Sequence, residues 1–229
     1  MRDGTRLLVN TSSWIEWCVF FIGSYEPEIL AVLRKCVRPG RTAVDVGANI
    51  GTHTLAMAAA GASVVAFEPN PRVFTRLQTN IALNPQCKVE TRATAVSDFV
   101  GRVVLYDVAA GNNEGLASLQ RAPGMRPINV PCTTLDHENL VEVALIKIDV
   151  EGFEAPVLAG ARQLLMDQHP IIVFEYNEDR WCQAGHSLAE VRTFLASVGY
   201  NRLLMIGRHG LRPLPSIVPG FANLYAAAD

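Results

Sequence analysis

Three stretches of the chain hold residues whose types and spacing could do chemistry. The first is "DVGANIG" at 45–51, with His53 two positions on. Gly47 and Gly51 allow backbone to approach a ligand that a side chain would push away. A dinucleotide fingerprint would need glycine at 47, 49 and 52, and Asn49 and Thr52 stand at the last two, which weakens a pyrophosphate reading. The second is Glu68, closing the apolar run "SVVAFE". A carboxylate there can accept both hydroxyls of a ribose, as in nicotinamide-binding proteins too, so it indicates a ribose and not one particular cofactor. The third is "IKIDVEGFE" at 146–154, which ends an apolar run on Asp149, Glu151 and Gly152. Acids in such a place are expensive to bury alone. Lys147, two before Asp149 and on the same strand face, offers a plainer explanation: an ion pair, or a helix cap. "FEYN" at 174–177 adds Glu175 and Asn177. His53 could face a cleft as a proton acceptor or pack within a helix. His137 reads as a loop residue, and the other histidines belong to no constellation.

These residues must be positioned by a parallel sheet. Apolar runs alternate with helix-like segments from residue 42 onward, the pattern of strands with helices on both faces. "TAVDV" (42–46), 63–68, "KVETRATAV" (88–96), 144–150, 170–176 and 200–206 read as strands. An alanine-rich helix over 52–60 would end at Gly61. Asn70 is a good N-cap with Pro71 at the first helical position, followed by Val73, Phe74, Leu77 and Ile81 at helical spacing. A further helix starts near Glu154, and Leu188 to Val198 mark another. Residues 101–133 read as a β-rich insertion around the polar "AAGNNEG" at 109–115; "ANLYAAA" near the end fits a strand or a helix. One domain over 1–229 is expected, with 1–40 as a cap segment and 41–229 as the α/β core.

Composition narrows the function classes. With 49% hydrophobic and 18% charged residues in 229 and a formal charge of −2, the chain reads as a soluble globular protein. No basic block suggests a nucleic-acid partner, and no apolar run is long enough for a membrane span. Five scattered cysteines, never in a CxxC pair, argue against a disulfide framework or zinc knuckle. "MRDGTRLLVN" lacks the plan of a secretion signal, so a cytoplasmic location is expected. A homo-oligomer is left open.

"VDVGANIGTHT", "FEPNP", "AVSD", "TLD", "LIKIDVEGFE", "VLAGA" and "PIIVFEYN" together resemble the FkbM-type S-adenosylmethionine-dependent methyltransferases, in order and spacing, from about residue 23 to about 206. The resemblance implies an α/β, Rossmann-like class I methyltransferase: a mostly parallel seven-stranded sheet whose last strand is antiparallel. It implies S-adenosyl-L-methionine over the first two strand ends. Asp45, Gly47, Asn49 and Gly51 would surround its methionine end, and Glu68 would hold the ribose beside Pro69 and Asn70. Ala95 and Val96, or Ser97 and Asp98, would close on the adenine, and Tyr25 and Glu26 would cover the cofactor.

The implied reaction is O-methylation of a small molecule or sugar, an in-line displacement in which the protein aligns the reactants and manages a proton. Asp149, Glu151 and His53 are the catalytic candidates. An acid after one strand and an acid plus amide after the next (Asp149, Glu175, Asn177) is also the layout by which catechol-type enzymes hold a divalent ion such as Mg²⁺. The resemblance does not imply a metal, and metal-free catalysis is preferred. A nicotinamide-dependent oxidoreductase and a non-catalytic S-adenosylmethionine-binding protein are the alternatives. The acceptor pocket is expected from 1–30, 109–128 and 176–186.

Overall fold

Strands buried on both faces form the centre of the sheet, as the apolar runs require. The computed structural model describes residues 1, 3–11, 13–108 and 125–228. Its elements begin with α1 (Trp14–Ile22), α2 (Pro27–Cys36), β1 (Thr42–Val46), α3 (Thr52–Ala59), β2 (Ser63–Phe67) and α4 (Pro71–Ala82). Then come β3 (Val89–Arg92), β4 (Ala95–Val96), β5 (Gly101–Val108), β6 (Met125–Thr133), β7 (Val143–Ile148), α5 (Glu154–Ala159) and α6 (Arg162–Gln168). The chain ends with β8 (Ile171–Asn177), α7 (Glu178–Gln183), α8 (Leu188–Ser197), β9 (Arg202–Gly207), β10 (Gly210–Pro213) and β11 (Phe221–Ala227).

The main sheet has the order β10-β9-β11-β8-β7-β1-β2-β3. From β3 to β8 all pairings are parallel, and β11 runs antiparallel between β8 and β9. The expected seven strands are therefore joined by an eighth. "GLRP" folds back on β9 as β10 through a tight turn at the sheet edge, where a short polar strand needs only one neighbour. The terminal "FANLYAA" is a strand between two partners, with Ala222 and the run Leu224, Tyr225 and Ala226 buried.

The third strand is a second correction. "KVETRATAV" is not continuous: β3 stops at Arg92, and Ala95 and Val96 leave the main sheet to pair with β6. They seed a separate three-stranded sheet, β4-β6-β5, whose β5 and β6 form an antiparallel hairpin with Leu105, Val130 and Cys132 in its own small core. The expected insertion is thus β-structured, while "AAGNNEG" lies outside the described residues.

Cores lie on both faces of the main sheet. α5, α6 and α8 pack on the face of Val44, Val46, Ile146 and Ile148. α2 and α3 pack on the opposite face, with Ala43 and Leu145. The N-terminal cap segment holds two helices, α1 and α2. It is strapped to α4 by Asn84, which accepts from the Arg6 amide at 2.8 Å, and by Asn80, which accepts from the Leu8 amide at 2.8 Å. The one charged residue of α1, Glu16, is turned inward onto Arg76. Its outward side presents Trp14, Trp17, Phe20 and Phe21 to solvent, the two indoles stacked at 5.5 Å. Among the described residues no helix is long and apolar enough to cross a membrane, and the five cysteines are free thiols.

Candidate functional site

At the end of β1 the turn spends its own amides. Gly47 and Ala48 both donate to the Phe67 carbonyl, at 3.0 and 2.9 Å. Asn49 donates to Glu68 Oε2 at 3.0 Å, Ile50 to Asn49 Oδ1 at 2.8 Å and Gly51 to the Ala48 carbonyl at 2.9 Å. A phosphate needs such N–H groups turned outward; here all five point into the protein. Asn49 sits at φ 52°, a left-handed conformation that asparagine tolerates better than most side chains, so the departure from glycine is accommodated locally. The glycines answer to protein neighbours. A Cβ on Gly47 would lie 1.8 Å from the Asp149 carbonyl oxygen, and one on Gly51 2.8 Å from Leu77 of α4.

Glu68 faces the same turn from the end of β2. Its Oε2 accepts from Asn49 and its Oε1 from the Asn70 amide at 2.9 Å, so each oxygen is oriented and keeps lone pairs for a ligand. Asn70 itself is fully buried and caps α4 by accepting from the Arg72 amide. Burial pushes the Glu68 carboxyl up to about 7, against the pull of those two amides and of Lys147.

The registers of β1 and β7 place Asp45 directly beside Lys147. The ammonium lies 3.4 Å from Asp45 and 3.4 Å from Asp149, and donates to the Gly47 carbonyl at 3.2 Å. Burial works against its charge, but Asp45, Asp149 and Glu26 outweigh it and hold the pKa above the ordinary lysine range. Asp45 is wholly buried and also accepts from Thr54 Oγ1 at 2.6 Å. Beyond Asp149, the segment 150–152 is tied by Glu154, which accepts from the Val150 and Gly152 amides and from the Trp181 indole. Glu151, at φ 60°, accepts from Arg180 at 2.6 Å.

These groups surround one cavity of about 380 Å³, a size suited to a small ligand. Of the residues singled out from sequence, Tyr25, Gly47, Asn49, His53, Glu68, Pro69, Ala95, Val96, Asp149, Glu151 and Glu175 line it. Glu26, Asp45, Gly51, Asn70, Ser97 and Asp98 do not, and Ser97 donates to Asp98 at 3.1 Å. Nor does Asn177 line it. Asn177 caps α7 by accepting from the Arg180 amide, so the acid-plus-amide set of the metal alternative is not gathered. Among the described residues no three His, Cys, Asp or Glu are grouped to hold a metal. Ser13, Trp14 and Ile15, within the 1–30 segment expected at the acceptor pocket, line the cavity, whereas 176–186 does not; Thr94 and Leu105 beside the second sheet and Phe153 were not singled out from sequence. Ser13 before the apolar run "WIEWCVFFI" was the one available signal for the start of α1.

Carboxyls crowd the chamber, with Glu68, Asp149, Glu151 and Glu175 in its lining and Glu26 and Glu154 outside it. Burial first, then Asp149, pushes Glu26 and Glu151 up to about 7, and burial with Asp149, Glu151, Glu154 and Glu26 pushes Glu175 up to about 9. An acid that holds its proton more tightly when folded stabilises the protein below its unfolded pKa. Between about 4.5 and 7 the contribution of Glu26, Glu68 and Glu151 therefore declines as pH rises.

Residues 45–202 match the family described as Methyltransferase FkbM domain. The chain is similar to the hexuronic acid methyltransferase AglP of Haloferax volcanii, at 28% identity over 65% of this chain and 61% of that protein. It is 26% identical to the 2-O-methyltransferase NoeI of Sinorhizobium fredii, over 74% of this chain and 76% of that one. In fold it is similar to the crystal structure of a methyltransferase FkbM from Methylobacillus flagellatus, with a TM-score of 0.54 at 16% identity, over 86% of this chain and 50% of that one. The chain thus spans well under two thirds of that solved chain and 61% of AglP.

Proposed function

Because the chain belongs to the FkbM methyltransferase domain family, we propose that it methylates a hydroxyl on a small molecule or sugar, using S-adenosyl-L-methionine. The observation that carries this reading is the pairing of an oriented Glu68 with a turn whose amides are all spent. Such an edge suits a ribose and offers a pyrophosphate nothing, which favours S-adenosylmethionine over a nicotinamide dinucleotide. The names of AglP and NoeI, a hexuronic acid methyltransferase and a 2-O-methyltransferase, support a sugar-like hydroxyl.

When bound, S-adenosylmethionine supplies an electrophilic methyl on a positive sulfonium. Glu68 would hold the ribose, and the Gly47–Asn49 turn would border the methionine end. Ala95, Val96 and Leu105 would wall the adenine, which needs an apolar slot. Asp149, steadied by Lys147, and Glu151, steadied by Arg180, would align the acceptor hydroxyl. Calorimetry with S-adenosylmethionine and with NAD tests the cofactor; methyl transfer to a panel of sugar and phenolic hydroxyls tests the chemistry. Binding of NAD alone would overturn the proposal.

Glu68→Ala is expected to weaken S-adenosylmethionine binding by on the order of 1–3 kcal/mol, since a charged hydrogen-bond partner is lost. Titration calorimetry reads this directly, and unchanged affinity would remove the ribose role. A second expectation concerns pH. A cationic ligand favours the ionised forms of Glu68 and Glu151, which line the cavity, so binding should release protons and affinity should rise from pH 6 to pH 8. S-adenosylhomocysteine, without the sulfonium charge, should show a shallower rise. Equal slopes for the two ligands would contradict this electrostatic account.

A further inference from the structure

Glu26 has a geometry that cofactor cover does not explain. It occupies the N-cap of α2 at φ 47° and ψ 62°, yet its side chain makes no capping hydrogen bond. A non-glycine residue in this left-handed region is strained, and strain of this kind persists where the surroundings enforce it. The twist turns the carboxylate toward α3, with Oε2 3.5 Å from His53 Nε2. His53 is 4% exposed, its Nε2 is sealed from solvent without a hydrogen-bond partner, and its ring lines the cavity. A buried polar nitrogen in that condition is costly unless a partner closes on it. The charged and titratable groups around the pair are Tyr25, Glu28, Lys147, Asp149, Glu151 and Glu175.

We propose that Glu26 and His53 form the proton relay of the site, an assignment that rests on the methyl-transfer reading above. As the acceptor oxygen bonds to the methyl carbon, the carbon–sulfur bond breaks and sulfur leaves with the electron pair as a neutral thioether. The hydroxyl proton passes to His53 Nδ1 while Nε2 hands its own proton to the Glu26 carboxylate. His53 ends as the other neutral tautomer and Glu26 ends protonated, so charge and atoms balance. The route avoids an imidazolium, which the site opposes: burial first, then Lys147, holds the His53 pKa down to about 3. Glu26, pushed up to about 7, is matched to receive the proton near neutral pH. The 3.5 Å separation is long for a hydrogen bond, as such contacts often are before substrate tightens them. Glu26 is here a positioning and relay residue that acts through His53.

Histidine ¹⁵N spectroscopy of the full chain, with the His53 signals assigned by their loss in His53→Gln, tests this without cofactor or acceptor. In the native protein the His53 ring should stay neutral from pH 5.5 to 8.5 while its proton moves from Nδ1 to Nε2 with a midpoint near 7, as Glu26 ionises. Glu26→Gln should abolish that midpoint. Single-turnover methyl transfer by the native protein should rise across the same range, and Glu26→Gln should remove that rise while changing S-adenosylmethionine affinity less than about fivefold. Formation of an imidazolium near pH 6.5 in the native protein, or a tautomer that ignores pH, would overturn the relay even if Glu26→Gln fails to fold. Failure of the methyl-transfer reading would appear separately, as absent S-adenosylmethionine binding in calorimetry.

Discussion

Gly47→Ala is expected to destabilise the fold by about 3–5 kcal/mol and to lower the melting temperature by roughly 10 °C. Two effects add. The residue sits at φ 81°, where an L side chain is strained, and its new Cβ would stand 1.8 Å from the Asp149 carbonyl oxygen and 2.9 Å from the carbon behind it. Both obstacles are backbone, so neither can swing aside. The loss therefore requires β1 and β7 to part at the cavity. Gly185→Ala is the control: φ is +80°, but nothing lies within 4 Å of the added carbon, so strain alone should register, at about 1 kcal/mol. Melting curves of the two variants separate collision from strain. A Gly47→Ala protein melting within 2 °C of the native one would refute the close approach.

Asp149→Asn should reduce methyl-transfer turnover on the order of 10²-fold or more, while S-adenosylmethionine affinity changes by less than about fivefold. Asparagine keeps the shape of the side chain, and Lys147 retains Asp45 and the Gly47 carbonyl, so the platform survives. What disappears is the negative charge in the cavity wall beside which the acceptor is aligned. Single-turnover rates at saturating donor, set beside calorimetric affinities, divide alignment from binding. Equal turnover in both proteins would take Asp149 out of the reaction.

The sheet could be read from sequence because its central strands are long apolar runs closed by a glycine turn or an acid, and because Asn70 with Pro71 announces a helix start. Glu68 was legible for the same reason: a lone carboxylate at the end of such a run has few structural excuses. The break after Arg92 was not legible, since "KVETRATAV" carries the same β-prone residues whether it stays in one sheet or divides between two. Asp45 and Gly51 share the motif that defines the turn, yet serve it from below, and only the registers reveal that Asp45 meets Lys147 and not the cavity. Glu26 was visible as a residue type, while its partnership with His53 depends on a backbone twist that no local pattern encodes. Trp14 and Ile15 reach the cavity through the path of α1, a tertiary fact absent from their spacing.

The contact between residue 47 and the carbonyl of residue 149 has an implication for how this scaffold can diversify. With the two strand tips fused there into one stiff keel, the turn proposed to seat the donor and the acid proposed to align the acceptor move together or not at all. New acceptors must then be accommodated by exchanging the outer parts, the paired N-terminal helices and the hairpin of the small sheet. Chimeras that swap those parts between relatives should inherit the acceptor preference of the graft while keeping the donor preference of the keel.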